Sequence, residues 1–141
     1  MAIRMKKAFD RRLMLFVVFL FVLIILAMQS EPVHAKTYLD GKTYTITGKL
    51  RRRAYHHGGN GLKLTGYTLD LGREIMISST RYNTFKGKEV DINTNMLSAK
   101  NFSKLKKWVG KRVKVKGIIM IPDSLWWWYT GGVIIASRIT R

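Results

Sequence analysis

His56 and His57 stand side by side in the stretch Ala54-Tyr-His-His-Gly-Gly-Asn-Gly61 and are the first residues whose type suggests chemistry. Adjacent histidines with no third ligand nearby, in a chain with no Cys, make a poor metal site, because zinc needs three or four converging donors. They suit a loop whose charge responds to pH better. A general acid/base pair would have to be chosen from Asp70, Glu74 and Asp91, with no spacing to single out any two. No G-x-S-x-G, H-E-x-x-H or phosphate-loop pattern occurs. No catalytic residue, metal or cofactor is therefore assigned, and a hydrolase acting on a polyanion is the weakest functional expectation.

The basic residues are more organised. Lys49, Arg51 and Arg53 fall on every second position of one run, and Arg112, Lys114 and Lys116 on every second position of another. If both runs are strands and pair, six cations line one surface, although like charges opposite one another destabilise a sheet. Lys100, Lys104 and Lys107 repeat the pattern at helical spacing with no acidic partner among them. A solvated face would explain charge, but a surface shaped only by solubility mixes its signs. The expectation is a face turned toward a polyanion, held by Lys49, Arg51, Arg52, Arg53, Arg112, Lys114 and Lys116.

Trp126, Trp127, Trp128 and Tyr129 form the sharpest local signal. Three consecutive tryptophans cannot all enter one core where side chains alternate, so at least one is exposed or packed sideways. Such rings stack on bases at ~1–3 kcal/mol each, stack on sugars, or anchor at a membrane interface. One or two of them capping the end of the core is the competing use.

The elements that must position these groups follow from periodicity. Tyr44, Ile46, Gly48 and Leu50 alternate with Thr45, Thr47, Lys49 and Arg51, a half-buried strand that Gly48 allows to bend. Residues 54–61 are a loop. Leu62 to Leu71 is a second strand whose apolar register shifts at Thr65-Gly66, which predicts a bulge there. Glu74 to Ile77 and Glu89 to Asn93 form an interrupted third strand or an extra short one. Ser98 caps a helix carrying Phe102, Leu105, Trp108 and Val109 and stopped by Gly110. Lys111 to Ile121 alternates cleanly, Pro122 to Gly132 is a loop, and Val133 to Ile139 closes the chain. The order is mainly β, that of a five-stranded OB-like barrel with one helix between strands 3 and 4. A small sandwich or an open α+β sheet fits the same order.

At the other end, Arg4, Lys6, Lys7, Arg11 and Arg12 precede Leu13 to Met28, sixteen uncharged, almost wholly apolar residues. A basic segment, an apolar segment, and then Pro32, Val33 and Ala35 make a signal peptide cleaved between Ala35 and Lys36, or an uncleaved anchor. Residues 1–35 are the targeting segment and 36–141 the basic domain, outside the cytoplasm in either case. Of the net +18, the stretch from Lys36 onward keeps +15, from 21 Lys+Arg against 6 Asp+Glu. The charge belongs to the domain.

Phe102-Ser-Lys-Leu-Lys-Lys-Trp-Val-Gly-Lys-Arg-Val-Lys-Val-Lys-Gly117, with Val133-Ile-Ile-Ala-Ser-Arg-Ile139, resembles the C-terminal half of a family of small exported bacterial proteins of unknown function. The likeness extends upstream through Thr45-Ile-Thr-Gly-Lys-Leu50 and Thr68-Leu-Asp-Leu71. The resemblance implies export and an OB-like barrel, and no catalytic residues. This sequence departs from it at Trp126 to Tyr129, where members carry polar, His-bearing residues. Taken together, the expectation is a non-catalytic periplasmic or secreted binding protein of the cell envelope. Its partner is an anionic polymer or a membrane surface, nucleic acid included. The alternative is a structural protein docking on a protein partner through the Trp loop.

Overall fold

A computed structural model of the chain describes residues 2–28, 35–125 and 127–141, with side chains from Arg11 onward. It divides into two compact units, Met1–His34 and Ala35–Arg141. Among the described residues the first contains one helix, α1 (Ala2–Met28). Its segment Arg11–Met28 has a mean hydropathy of 2.5 and no buried side chains, so it is long and apolar enough to cross a membrane. Signal sequences near an N-terminus have the same character. Of the cleavage motif, Pro32 and Val33 lie outside the described residues.

The second unit is mainly β. Its elements run β1 (Lys36–Leu39), β2 (Lys42–His56), β3 (Lys63–Ser78), β4 (Phe85–Asn93), α2 (Ala99–Trp108), β5 (Arg112–Met120) and β6 (Val133–Thr140). They form one six-stranded sheet in the order β1-β3-β2-β5-β6-β4, and a further β3–β4 pairing makes a ring of five strands. The β4–β6 contact in that ring is short and parallel, Asp91↔Val133 to Asn93↔Ile135.

Alternation explains the central strands. Ile46, Gly48 and Leu50 of β2 and Val113, Val115 and Ile119 of β5 turn inward, where they meet Leu69, Ile75, Ile77 and Ile134. Each fully buried aliphatic side chain contributes ~1.5–3 kcal/mol relative to exposure. β2 changes partner midway, pairing β5 from Lys42 to Lys49 and β3 from Lys49 to His56. Gly48 sits at this handover. A Cβ there would lie 2.7 Å from the Asp70 carbonyl oxygen, so the close approach of β2 to β3 requires glycine.

Four local expectations need correction. β2 runs on through Ala54, Tyr55 and His56, which pair with β3, so the loop expected from Ala54 begins only at His57. β1 is an extra strand that the alternation did not reveal, because in its four residues only Tyr38 is buried. Glu74 to Ile77 continues β3, which is a single 16-residue strand. β3 has no bulge at Thr65-Gly66: it pairs β2 regularly from Lys63 to Asp70. The apolar shift arises because Leu62 is exposed before the strand and Leu64 faces outward opposite Tyr55. The irregularity lies instead between Asp70 and Ile75 in the pairing with β4, where Gly72 takes φ +69° and donates its N–H to Asp70 Oδ1.

Helix α2 starts as expected, with Ser98 Oγ accepting the Asn101 N–H at 3.2 Å, and Gly110 beyond its end takes φ +83°. The Gly110 N–H then donates to the Leu50 carbonyl at 2.7 Å, tying the helix end to the middle of β2. Leu105 is the buried residue of α2. Phe102, expected on the same apolar stripe, is 52% exposed.

Candidate functional site

The outward face of β2 carries Lys49, Arg51, Arg53 and Tyr55 on alternate positions, opposite Asp70, Thr68, Gly66 and Leu64 of β3. β4 adds Glu89 and Asp91 to this face, opposite Asp70 and Thr68. Two of the expected ligand-binding cations are thereby neutralised. Arg51 donates to Asp70 Oδ2 from Nε at 3.2 Å and Nη2 at 3.0 Å. Arg53 grips Glu89 with both arms of its fork, Nε to Oε1 at 2.8 Å and Nη2 to Oε2 at 3.0 Å. Thr68 Oγ1 also donates to Glu89 Oε1.

The ionisation of these groups follows from their surroundings. Burial works against a charged Glu89, yet the hydrogen bonds from Arg53 and Thr68 outweigh it and hold the carboxyl below its ordinary value. The Gly72 N–H and then Arg51 do the same for Asp70. Glu89 raises the Arg53 guanidinium, through its hydrogen bond foremost. Asp91 differs: burial pushes its carboxyl upward despite three hydrogen bonds. Tyr55 is also raised, first by burial and then by the nearby charge of Asp91.

Those three bonds anchor the aromatic loop. Asp91 accepts from the Tyr129 N–H at 3.1 Å, the Thr130 N–H at 2.5 Å and Thr130 Oγ1 at 2.9 Å. Tyr55 donates its hydroxyl to the Trp127 carbonyl. The Trp127 ring packs edge-on against His57 with centroids 4.2 Å apart, and Arg53 lies 5.5 Å from the Tyr129 ring centre. Trp127 nonetheless remains 54% exposed, Tyr129 45% exposed, and Trp128 half-buried. Trp126 lies outside the described residues. The loop between β2 and β3 thus meets the loop between β5 and β6. His57 serves the β2–β3 turn, its Nδ1 accepting the N–H groups of Gly59 and Asn60 at 3.1 and 3.3 Å. Among the described residues no three His, Cys, Asp or Glu converge as metal ligands would.

The other cations separate into two places. Arg52 falls on the opposite face of β2 from Arg51 and Arg53, beyond Leu50, and is exposed. Arg112, Lys114 and Lys116 all face outward from β5, opposite Lys49, Thr47 and Thr45 of β2. On the far side of β5, Thr140 stands opposite Lys114 and Arg138 opposite Lys116. Lys114, Lys116 and Arg138, with Thr45 and Thr140, line a shallow concavity of about 270 Å³. Lys49 has Arg112 on one flank and Asp70 on the other. Among the described residues the ion pairs are Arg51–Asp70 and Arg53–Glu89, so no carboxylate pairs with the β5–β6 cations. Asp40, the remaining strongly engaged carboxylate, binds Ser79 Oγ at 2.7 Å and the Ile121 N–H at 3.2 Å.

Arg138 does not stand out in the sequence, where it falls within a run that reads only as a closing strand. Its signal is the pair Ser137-Arg138, two adjacent polar residues set between the apolar run 133–136 and Ile139. Of the expected cleavage residues, Lys36 opens β1 with Nζ 5.2 Å from the Tyr38 ring centre, and Ala35 just precedes it. No family model, no curated protein and no solved structure matches this chain.

Proposed function

We propose that this chain is an exported, non-catalytic binding protein of the cell envelope whose basic face recognises an anionic polymer or surface. One observation carries the proposal: Arg112, Lys114, Lys116 and Arg138 share the outer face of β5 and β6, and among the described residues no carboxylate pairs with any of them. Four of the six acids from Lys36 onward are engaged elsewhere, Asp70 and Glu89 on Arg51 and Arg53, Asp91 on the aromatic loop, Asp40 on Ser79 and Ile121, and the other two, Glu74 and Asp123, form no ion pair with these cations. Lys116 directly opposite Arg138 destabilises the sheet unless a counter-anion sits between them. Such an arrangement is costly for a surface that only needs solubility, and useful for one that meets a polyanion.

The architecture belongs to the same proposal. The circuit β2-β3-β4-β6-β5, its parallel β4–β6 step and the placing of α2 between β4 and β5 support an OB-like barrel, as the resemblance to exported proteins of unknown function implies. The basic stretch before the apolar helix α1 supports export or anchoring with the domain outside the cytoplasm. Engagement of four carboxylates in structural hydrogen bonds supports a binding role over catalysis.

A second function has its own support. Leu125, Trp127 and Tyr129 are exposed on a loop whose backbone is fixed by Asp91 and Tyr55, a preformed apolar edge suited to docking on a protein partner. Salt separates the two. Polyanion binding weakens steeply between ~50 and ~200 mM salt because released counterions drive it, whereas docking through the aromatic loop responds little.

A further inference from the structure

A β-bulge decides where Arg138 points. Ala136 of β6 faces the core, and strict alternation would send residue 138 inward as well, burying an unpaired guanidinium. The register instead jumps from Gly117↔Ala136 to Lys116↔Arg138, leaving Ser137 as the extra residue. Ser137 and Arg138 are consequently both exposed, and the alternation resumes with buried Ile139. Ser137 Oγ donates to the Lys116 carbonyl at 3.1 Å and fastens the bulge. On the facing strand, a Cβ at Gly117 would lie 2.1 Å from the Ile135 carbonyl oxygen, so the tight backbone contact beside the bulge admits only glycine. Bulges re-aim side chains, and this one brings a third cation to Lys114 and Lys116.

The geometry points to the concavity of Lys114, Lys116, Arg138, Thr45 and Thr140 as the site that takes a phosphoryl group of the anionic ligand; this rests on the polyanion reading and narrows it. A planar carboxylate would be satisfied by the Arg138 fork alone. Two ammonium groups and two hydroxyls around that fork provide donors in several directions, which matches a tetrahedral phosphoryl group with two free oxygens within a chain or three at its end. The concavity is open on one side, so the phosphoryl group enters at the end of a chain or along one, without the ligand being enclosed. The nearby engaged pairs, Arg51–Asp70 and Arg53–Glu89, take no part.

The test uses the full chain in nonionic detergent micelles at low salt. Inorganic phosphate is titrated while amide resonances are followed, and the affinity for long-chain polyphosphate is measured in parallel. Shifts centred on Thr45, Arg138 and Thr140, with polyphosphate affinity falling about tenfold or more in the double variant Lys116→Gln/Arg138→Gln, are the expected result. Lys106→Gln/Lys107→Gln on α2 keeps affinity within about twofold, and Arg138→Lys, which retains charge but loses the fork, falls between. Thermal melts of each variant exclude misfolding as the cause. Micelles doped with phosphatidylglycerol identify the source: if they shift the same resonances without added phosphate, the group belongs to a lipid head group, and if only polyphosphate does, to a soluble polymer. Unmoved resonances with polyphosphate affinity intact in the double variant overturn this site while the polyanion reading stands. Absence of any polyanion binding by the unaltered chain overturns both.

Discussion

Glu89 on β4 receives both arms of the Arg53 guanidinium from β2, at 2.8 and 3.0 Å, so a cation expected to reach for a ligand is consumed inside the domain. Its side chain is only 18% exposed, and Thr68 completes its hydrogen bonding. Glu89→Gln is expected to cost about 1–3 kcal/mol of stability, because it leaves Arg53 without its partner. Chemical denaturation at neutral pH checks the value.

Acid titration separates the carboxylates by sign. Glu89 and Asp70 sit below their ordinary values of 4.5 and 3.8, so each contributes stability above that value and loses it as pH falls through the lower folded one. Asp91 sits above its ordinary 3.8, so its ionisation costs stability at higher pH and the cost is relieved on acidification. Stability measured from neutral pH down to about pH 3 should fall more steeply in Asp91→Asn than in the unaltered chain, and more gently in Glu89→Gln. Parallel profiles would contradict the assignment of both groups.

The aromatic loop is held by few bonds. Tyr55→Phe removes the hydroxyl that binds the Trp127 carbonyl, with an expected loss of about 0.5–1.5 kcal/mol. Amide exchange of residues 127–132 should quicken by a similar free energy while that of β5 is unchanged. Uniform exchange throughout would place the loop within the global unfolding unit.

Helix α2 gives a contrast within one apolar stripe. Leu105→Ala should cost about 2–5 kcal/mol, since Leu105 is completely buried, whereas Phe102→Ala should stay within about 0.5 kcal/mol. Thermal melts of the two variants decide it.

That contrast also marks what the sequence makes legible. The spacing of Phe102, Leu105 and Val109 announces a helix, and Ser98 and Gly110 mark its ends, but spacing does not say how deep a short helix sinks into its neighbours. Alternation in β2 and β5 identifies the inward residues correctly, because each strand has one buried face. β1 escapes notice, since four residues with one buried tyrosine carry no periodic signal. The cations are legible as rows along single strands. Which of them meet acids depends on cross-strand register: Arg53 finds Glu89 thirty-six residues away, and nothing local to either announces the pair. Arg138 is hidden for a related reason, since its outward direction depends on one extra residue in β6.

The salt dependence of polyanion binding is the most direct test of the proposed function. Polyphosphate affinity of the full chain, measured between ~50 and ~200 mM salt, should fall along a straight logarithmic line, and neutralising Lys114, Lys116 or Arg138 should each reduce the slope by about one. Neutralising Arg51 or Arg53, already paired with Asp70 and Glu89, should leave that slope unchanged. Affinity indifferent to salt, or a slope that depends on Arg51 and Arg53 and ignores the β5–β6 cations, would contradict the account.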